Sequence, residues 1–230
     1  MFIMAGCARE FILDFFPHGL VTLEIGVQKG HFSDAMLQRM KPAVHYMVDP
    51  YVRHDSEDYD LDKSNFEDHE QLYASVLERF AEPLAKGRAV MHRTTSIAAA
   101  REFPDGYFDF IYIDAMHFYE AVLLDLFTYS RKLKRGGVLA GHDFTLSRDA
   151  VAQKFGVVDA VKEFARETDF SLRCITWEPW SSYFLAGDDS ELWPAVMDNL
   201  RGSRLGHIEF DDIYRDKIIQ EYGRAPRVIA

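Results

Sequence analysis

Short apolar runs alternate with longer amphipathic stretches along this 230-residue chain, and that alternation limits its fold more than any other feature. Several of the apolar runs are apolar on both faces, as strands covered by helices on both sides must be. Strands are predicted at residues 20–25, 44–48, 88–92, 108–113, 137–141, 171–177 and 182–186. Helices are predicted at 31–40, 66–86, 118–134 and 157–168. Strands that alternate with helices predict an α/β domain with a mainly parallel sheet.

Two details complete the predicted architecture. Only residues 178–181 separate the last two strands, which is too short for a helical crossover and predicts an antiparallel hairpin. Four cations within 131–135 precede Gly136 and Gly137, a pattern typical of a helix that ends in a glycine cap. The fold class is therefore α/β, a Rossmann-like three-layer sandwich whose mostly parallel seven-stranded sheet ends in an antiparallel hairpin.

The flanking segments show no repeat, low-complexity tract or linker that would mark a domain boundary. Residues 1–17 predict an amphipathic helix rather than a secretion signal, because charges interrupt the apolar start and no cation precedes it. Residues 188–230 predict a helical C-terminal tail packed on the same domain. The acidic segment 50–65 is long for a connection between secondary-structure elements. Two interpretations remain, a solvated loop and a lid over a ligand.

The overall charge limits the partners that this chain can bind. A net charge of −11 argues against a large phosphate-binding surface, so nucleic acid and anionic membranes are poor partners. No apolar run approaches the ~20 residues that a membrane helix needs. Cys7 and Cys174 lie far apart without metal-ligand spacing, which favours free thiols in a reducing cytosol over a disulfide. We therefore expect a cytoplasmic protein that acts on a small molecule. The sequence leaves open whether the chain forms a homodimer.

The strongest local pattern is the segment LEIGVQKG, which joins a buried strand to a helix. Gly26 and Gly30 bracket a tight turn where a ligand could approach the backbone without meeting a Cβ atom. A dinucleotide-binding fingerprint requires glycine at two positions that Gln28 and His31 occupy here. This spacing counts against NAD as the ligand.

Two carboxylates accompany this turn. Glu24 stands where it would repel a pyrophosphate and attract a cationic ligand. Asp49 follows the next strand, where open α/β sheets place a carboxylate for ribose hydroxyls. The glycine pair alone, or Asp49 alone, could be plain turn chemistry, but together, in this order and at this spacing, they favour a ligand site.

Five segments occur in an order that resembles a known family: LEIGVQKGHFS, VDPY, HRTTS, FDFIYIDAMHFYEAVLLDL and GGVLAGHDF. Over about residues 18–187 the chain resembles class I S-adenosylmethionine-dependent methyltransferases, particularly the small-molecule branch called methyltransferase domain 24. The resemblance implies that residues 1–187 form a methyltransferase domain that binds S-adenosylmethionine. By motif position, it implies that Glu24, Gly26 and Gly30 lie at the methionine end of the cofactor. It further implies Asp49 as the ribose ligand, Thr95 and Ser96 beside the adenine, and Asp114 near the sulfonium.

A second group of polar residues follows two neighbouring strands. Asp114 and His117 follow one strand, and His142 and Asp143 follow the next, so all four should lie at the carboxyl edge of the sheet. Asp114, His142 and Asp143 could hold a divalent cation such as Mg²⁺. Metal-dependent members of the resembling family often carry paired aspartates at 142–143, and the histidine here shifts the preference toward Mn, Zn or Fe.

Other roles for these residues stay open. His117 or Asp114 could abstract a proton without a metal. Asp114 could instead cap the following helix, and His142 could be a core histidine with its hydrogen bonds satisfied.

The sequence thus predicts methyl transfer from S-adenosylmethionine to an oxygen, in preference to a nitrogen, of a small acceptor. Asp114 and His117 are the predicted catalytic residues, and Trp177 and Trp180 are candidates for walls of the acceptor pocket. The alternative is a non-catalytic module that binds S-adenosylmethionine or a nucleoside. A binding module has no need of the four converging polar residues, which favours the enzyme.

Overall fold

A computed structural model describes residues 2–6, 8–53 and 67–210 of the chain. Within these residues nine strands form one mixed sheet: β1 Phe2–Ala5, β2 Val21–Ile25, β3 Val44–Val48, β4 Ala89–His92, β5 Phe108–Ile113, β6 Leu133–Gly141, β7 Phe170–Thr176, β8 Tyr183–Gly187 and β9 His207–Phe210. The helices are α1 Arg9–Ile12, α2 His31–Arg39, α3 His69–Arg79, α4 Ala81–Ala85, α5 Ser96–Ala100, α6 Tyr119–Ser130, α7 Arg148–Ala152, α8 Val157–Glu167 and α9 Leu192–Gly202, with a 3₁₀ turn at Leu13–Phe15.

The sheet order is β4-β3-β2-β5-β6-β8-β7-β1-β9. The first five strands in this order are parallel, and β8 pairs antiparallel with both β6 and β7, which confirms the predicted fold class and its hairpin. The chain runs outward from β2 through β3 to β4, then returns to β5 on the other side of β2. Open α/β sheets bind ligands at such a reversal, outside the carboxyl ends of the strands.

Helices cover both faces of the sheet. On one face, α5, α6 and α8 pack over Ile111 and Ile113 of β5. On the other face, α1, α2 and α9 pack over Phe110 and Tyr112 of the same strand. The alternating side chains of β5 therefore pack into two separate cores, which is why residues 110–113 carry no charged side chain. None of the described helices combines the length and apolar character that a membrane crossing requires.

Both chain ends depart from the predicted helices. Residues 2–5 form strand β1, which pairs parallel with β7 and antiparallel with β9, so helix and 3₁₀ turn are confined to 9–15. The C-terminal segment contains helix α9, as predicted, but then forms β9 at 207–210. Short edge strands carry little local signal, because the partner strands that define them are distant in sequence. Met1, Cys7, residues 54–66, which include most of the acidic segment 50–65, and residues 211–230 lie outside the described residues.

The predicted glycine cap after 118–134 was wrong. Helix α6 ends at Ser130, and Gly136 and Gly137 lie inside β6, where the pairing with β5 shifts register. A Cβ atom on Gly137 would lie 2.8 Å from the carbonyl oxygen of Asp109, so this glycine permits close approach of two backbones. The nearby lysines form ion pairs instead: Lys132 binds Asp105, and Lys134 binds Asp109.

The predicted helix 66–86 is divided into α3 and α4 at Phe80. Pro83 explains the break, because proline lacks the N–H that a continuous helix would need four residues after Arg79.

The orientation of α6 yields a test of the fold. Leu126 is fully buried, whereas Leu124, two residues earlier on the same helix, is 53% exposed. We expect Leu126→Ala to lower the free energy of unfolding by about 2–5 kcal/mol, because it leaves a cavity in the core. Leu124→Ala should change it by less than about 0.5 kcal/mol. Urea unfolding measures both, and similar losses in the two variants would contradict the placement of α6.

Candidate active site

A cavity of about 470 Å³ opens at the carboxyl ends of β2, β3, β5 and β6, where the chain order reverses. Nearly all of the residues predicted to form a site line it: Glu24, Gly26, Asp49, Thr95, Ser96, Asp114, His117, His142 and Asp143. Residues that are distant in sequence therefore meet at one place, as expected for strand ends along one sheet edge.

Gly26 is required by the close approach of β2 to β5. Its φ is +87°, and a Cβ atom there would lie 1.9 Å from the carbonyl oxygen of Asp114. Its N–H donates to the carbonyl of Val48, while the N–H of Asp114 donates to the carbonyl of Ile25. Any side chain at this position would separate the strands that carry Glu24 and Asp114.

Gly30, which the sequence predicts at the methionine end of the cofactor, does not line this cavity. Gly30 precedes α2 with a φ of +72°, and a Cβ atom would lie 2.5 Å from the ring of Phe80. Its role in the structure is close packing.

The carboxylate of Asp49 holds the glycine turn in place. Oδ2 accepts hydrogen bonds from the N–H groups of Val27 and Gln28 at 3.0 and 2.9 Å, and Oδ1 accepts one from Tyr51 at 2.8 Å. A carboxylate offers about four acceptor sites, so capacity remains for a ribose hydroxyl. Asp49 is thus both a support of the turn and a candidate ligand.

Glu24 is buried at the end of β2 and terminates a chain of hydrogen bonds. The hydroxyl of Ser33 donates to Glu24, Nε2 of His45 lies 3.0 Å from that hydroxyl, and Nδ1 of His45 lies 2.9 Å from the hydroxyl of Thr22. When Glu24 is ionised, this order requires that Nε2 of His45 carries the proton and that Nδ1 accepts from Thr22. Burial lowers the pKa of His45 to about 3, so the ring is neutral.

Burial raises the pKa of Glu24 to about 8, although the Ser33 hydrogen bond and the charge of Arg9 oppose that rise. A cationic ligand beside Glu24 would favour the ionised carboxylate.

Arg9 belongs to the site, although no sequence pattern marks it. Nη1 donates to Oδ2 of Asp114 at 2.7 Å and to the hydroxyl of Tyr112 at 3.1 Å. The guanidinium also lies 4.6 Å from the centre of the Phe32 ring. The contact with Asp114 spans over a hundred positions in sequence, which is why reading the chain locally misses it.

Asp114, His117, His142 and Asp143 form one cluster. Nε2 of His117 lies 2.8 Å from Oδ2 of Asp143 and 3.8 Å from Oδ1 of Asp114. Nδ1 of His142 lies 3.4 Å from Oδ1 of Asp143 and 3.7 Å from Oδ1 of Asp114. Although it forms an ion pair with Asp143, buried Nε2 of His117 has no partner among the described residues in hydrogen-bond geometry.

The cluster shifts the pKa values of its members. Burial alone would lower the pKa of His117, but Asp114 and Asp143 raise it to about 10 overall. Burial would raise the pKa of Asp114 and of Asp143, but the neighbouring cations hold both below their usual range. At neutral pH, Asp114 and Asp143 are therefore ionised beside a protonated His117.

Two alternative roles, a helix cap for Asp114 and a core position for His142, find no support in the geometry. Helix α6 begins after Phe118 without a side-chain cap, so Asp114 does not cap it. His142 lines the cavity and is not enclosed in the core.

Phe155 stacks on His117 with the ring centres 4.3 Å apart, and Trp180 lies beside Phe155 at 5.6 Å. Trp180 thus backs the wall that Phe155 forms, whereas Trp177 is 41% exposed.

Backbone strain is concentrated at the cavity. Three non-glycine residues that line it have left-handed backbone conformations: Gln28, Tyr51 and Asp143, with φ of 47°, 47° and 58°. Such conformations cost free energy and persist where the surrounding structure enforces them, commonly at functional sites.

The raised pKa of Glu24 predicts a dependence of stability on pH. Between about pH 5 and pH 8 the unfolded chain has released this proton while the folded chain still holds it, so stability falls as pH rises. Glu24→Gln removes this loss, and the variant should gain stability relative to the wild type across that range. Urea unfolding at several pH values measures the difference, and a difference that stays constant with pH would contradict the assignment.

Comparison with known proteins identifies the family of this chain. A model of the methyltransferase domain family Methyltransf_24 matches residues 23–144. No curated protein sequence is significantly similar to the chain.

Solved structures share the fold at low sequence identity. An S-adenosylmethionine-dependent methyltransferase of Aquifex aeolicus is 14% identical with a TM-score of 0.54, over 77% of this chain and 87% of that chain. The precorrin-6y C5,15-methyltransferase of Geobacter metallireducens is 12% identical with a TM-score of 0.52, over 77% and 85%. The fibrillarin pre-rRNA processing protein of Methanococcus jannaschii is 12% identical with a TM-score of 0.53, over 76% and 69%.

At these identities the structural likeness supports the fold alone. The family match, in contrast, covers more than half of the chain and includes Glu24, Asp49, Asp114 and Asp143. The protein therefore belongs to the Methyltransf_24 family of S-adenosylmethionine-dependent methyltransferases.

Proposed function

We propose that this methyltransferase transfers the methyl group of S-adenosylmethionine to an oxygen of a small molecule, assisted by a divalent cation held by Asp114, His117 and Asp143. One observation carries the proposal. The three side chains each offer a ligand atom, and these atoms all lie within 4.8 Å of one another beside the cavity. Two carboxylates and an imidazole suit a divalent cation. Nε2 of His117 lies 2.8 Å from Oδ2 of Asp143 but outside hydrogen-bond geometry, which gives a further reason to expect a ligand at this point.

This ligand set differs from the predicted set in one residue. The group whose ligand atoms lie within 4.8 Å of one another contains His117 in place of His142. His142 lies close to both aspartates, and its role as a ligand stays a prediction that the experiment below tests.

Neighbouring side chains prepare the cluster. Arg9 binds Oδ2 of Asp114, which leaves Oδ1 directed toward both histidines. Phe155 restricts the ring of His117 by stacking on it. A bound cation would supply Lewis acidity that favours the ionised form of an acceptor hydroxyl. The protein's own task is to hold the donor methyl and the acceptor in line.

In the proposed arrangement the cofactor occupies the rest of the cavity. Glu24 and Gly26 border the methionine end, Asp49 binds the ribose, and Thr95 and Ser96 lie beside the adenine. Asp114 is then the member of the cluster nearest to the sulfonium. This order directs the methyl group toward the side of the cavity that carries His117.

Charge and cavity size favour a small acceptor. The net charge of −11 opposes binding to a polyanion such as RNA. A cavity of about 470 Å³ falls within the range of sites for small ligands. The fold alone does not decide the class of acceptor, because its structural neighbours include both a precorrin methyltransferase and a pre-rRNA processing protein.

The second candidate mechanism uses no metal. His117 would act as the base and Asp143, at 2.8 Å, would orient it. Both routes require the same loss of a proton, because a ring whose pKa is raised to about 10 must become neutral before it can either bind a cation or act as a base. A non-catalytic binding module would leave the whole cluster without a purpose.

Thermal denaturation tests the placement of the cofactor. S-adenosylmethionine and S-adenosylhomocysteine should raise the Tm, and NAD should not. A ligand at ~100 times its Kd adds about 2.7 kcal/mol of stability. Asp49→Ala should abolish most of the shift, since it removes the proposed ribose acceptor. A shift with NAD but none with S-adenosylhomocysteine would overturn the placement.

Calorimetric titration with Mn²⁺ tests the cation site directly and does not require the acceptor. We expect one site in the wild type, and a loss of affinity of at least about 10-fold in Asp143→Asn and His117→Ala. Asp188→Asn, at an exposed position, is the control and should bind normally. Loss in His142→Ala but not in His117→Ala would restore the originally predicted ligand set.

The same variants separate the two mechanisms. With a panel of hydroxylated small molecules, a chelator should abolish formation of S-adenosylhomocysteine and added divalent ions should restore it. If the chelator has no effect and His117→Ala alone lowers turnover by ~10²–10⁴-fold, the metal-free base is correct.

A further inference from the structure

Asp125 is a buried carboxylate that none of the steps above uses. It lies in the middle of α6, is 4% exposed and lines the cavity at the end that Thr95 and Ser96 also line. Among the described residues no cation forms an ion pair with it. The hydroxyl of Ser96 is the one neighbouring group that stabilises its ionised form, and burial raises its pKa to about 6.

A carboxylate in this position is costly unless something compensates for it. Burial without a paired charge disfavours the ionised form. Its helix neighbours Val122 and Leu126 belong to the apolar core, so the position would accept an apolar residue. A contact with the Ser96 hydroxyl needs only a neutral acceptor. The retained charge therefore points to a hydrogen-bond donor that arrives with a ligand.

Few other acceptors remain at this end of the cavity. The hydroxyl of Thr95 already accepts from the N–H of Ala98 as the cap of α5. The carbonyl of Ser96 already accepts from the hydroxyl of Tyr129 at 2.6 Å. The other lining carboxylates, at 24, 49, 114 and 143, follow or end strands and belong to the methionine, ribose and cation parts of the site.

We propose that Asp125 accepts a hydrogen bond from the exocyclic amino group of the adenine and thereby makes the site selective for the adenine base. This inference rests on the proposed position of the cofactor, with the adenine beside Thr95 and Ser96. Adenine presents an amino donor on its edge, and a buried acceptor left without that donor discriminates strongly against analogues that lack it.

The test compares two ligands that differ by one group. One is S-adenosylhomocysteine, and the other is its analogue with purine in place of adenine, which lacks only the exocyclic amino group. Calorimetry should give the wild type a preference of about 10- to 100-fold for the adenine ligand, as expected for a hydrogen bond to a charged group. In Asp125→Ala the preference should fall to below about 3-fold, while the affinity for the purine analogue stays unchanged.

The control variant is Glu120→Ala, an exposed acidic residue on the same helix, which should keep the wild-type preference. Asp125→Asn keeps the shape of the side chain and serves if Asp125→Ala does not fold. It should lower the preference without changing the affinity for the purine analogue.

Three results would overturn the inference. The first is equal binding of the two ligands by the wild type. The second is an equal loss of affinity for both ligands in the Asp125 variants, which would indicate a purely structural role. The third is an unchanged preference in those variants. Failure of the wild type to bind either ligand would instead overturn the proposed cofactor site itself, and this inference with it.

Discussion

The site depends on the distance between the ends of β2 and β5. Gly26 lies so close to the carbonyl of Asp114 that a Cβ atom would be 1.9 Å away, and hydrogen bonds fix β2 to both of its neighbours. This contact sets the separation between Glu24 and Asp114, the two carboxylates on either side of it. A wider spacing would move the charges that the proposed cofactor has to bridge. Because the constraint is steric and lies in the backbone, it holds whether or not a ligand is bound.

Around this constraint, the structure balances several buried charges. Asp114 and Asp143 are opposed by Arg9 and by the imidazolium of His117. The compensation is incomplete at Glu24, where burial raises the pKa to about 8. A ligand that carries a sulfonium and an ammonium group would complete it. The electrostatics therefore agree with the cofactor that the family uses, for a reason independent of the family match.

Reading the sequence predicted the parts that local patterns encode. The seven central strands and the convergence of Asp49, Asp114 and Asp143 follow from apolar runs and from strand ends that share one sheet edge. Gly26 was predicted to let a ligand approach the backbone, whereas in the structure it permits the close approach of β2 to Asp114, and Gly30 packs against Phe80. The residues that were missed, Arg9 and Asp125, act through contacts or cavity positions that only the folded chain creates.

The sheet edge that the sequence did not predict is also part of the site. β1 pairs with β7 at the far side of the sheet, and the chain then turns back so that Arg9 reaches Asp114 at the end of β5. The following residues, Ile12 and Leu13, anchor that return in the core beneath α9. Arg9 is therefore held from both sides, by a paired strand before it and a packed turn after it. β1, which lies between β7 and β9, thus helps to place the side chain that binds Oδ2 of Asp114.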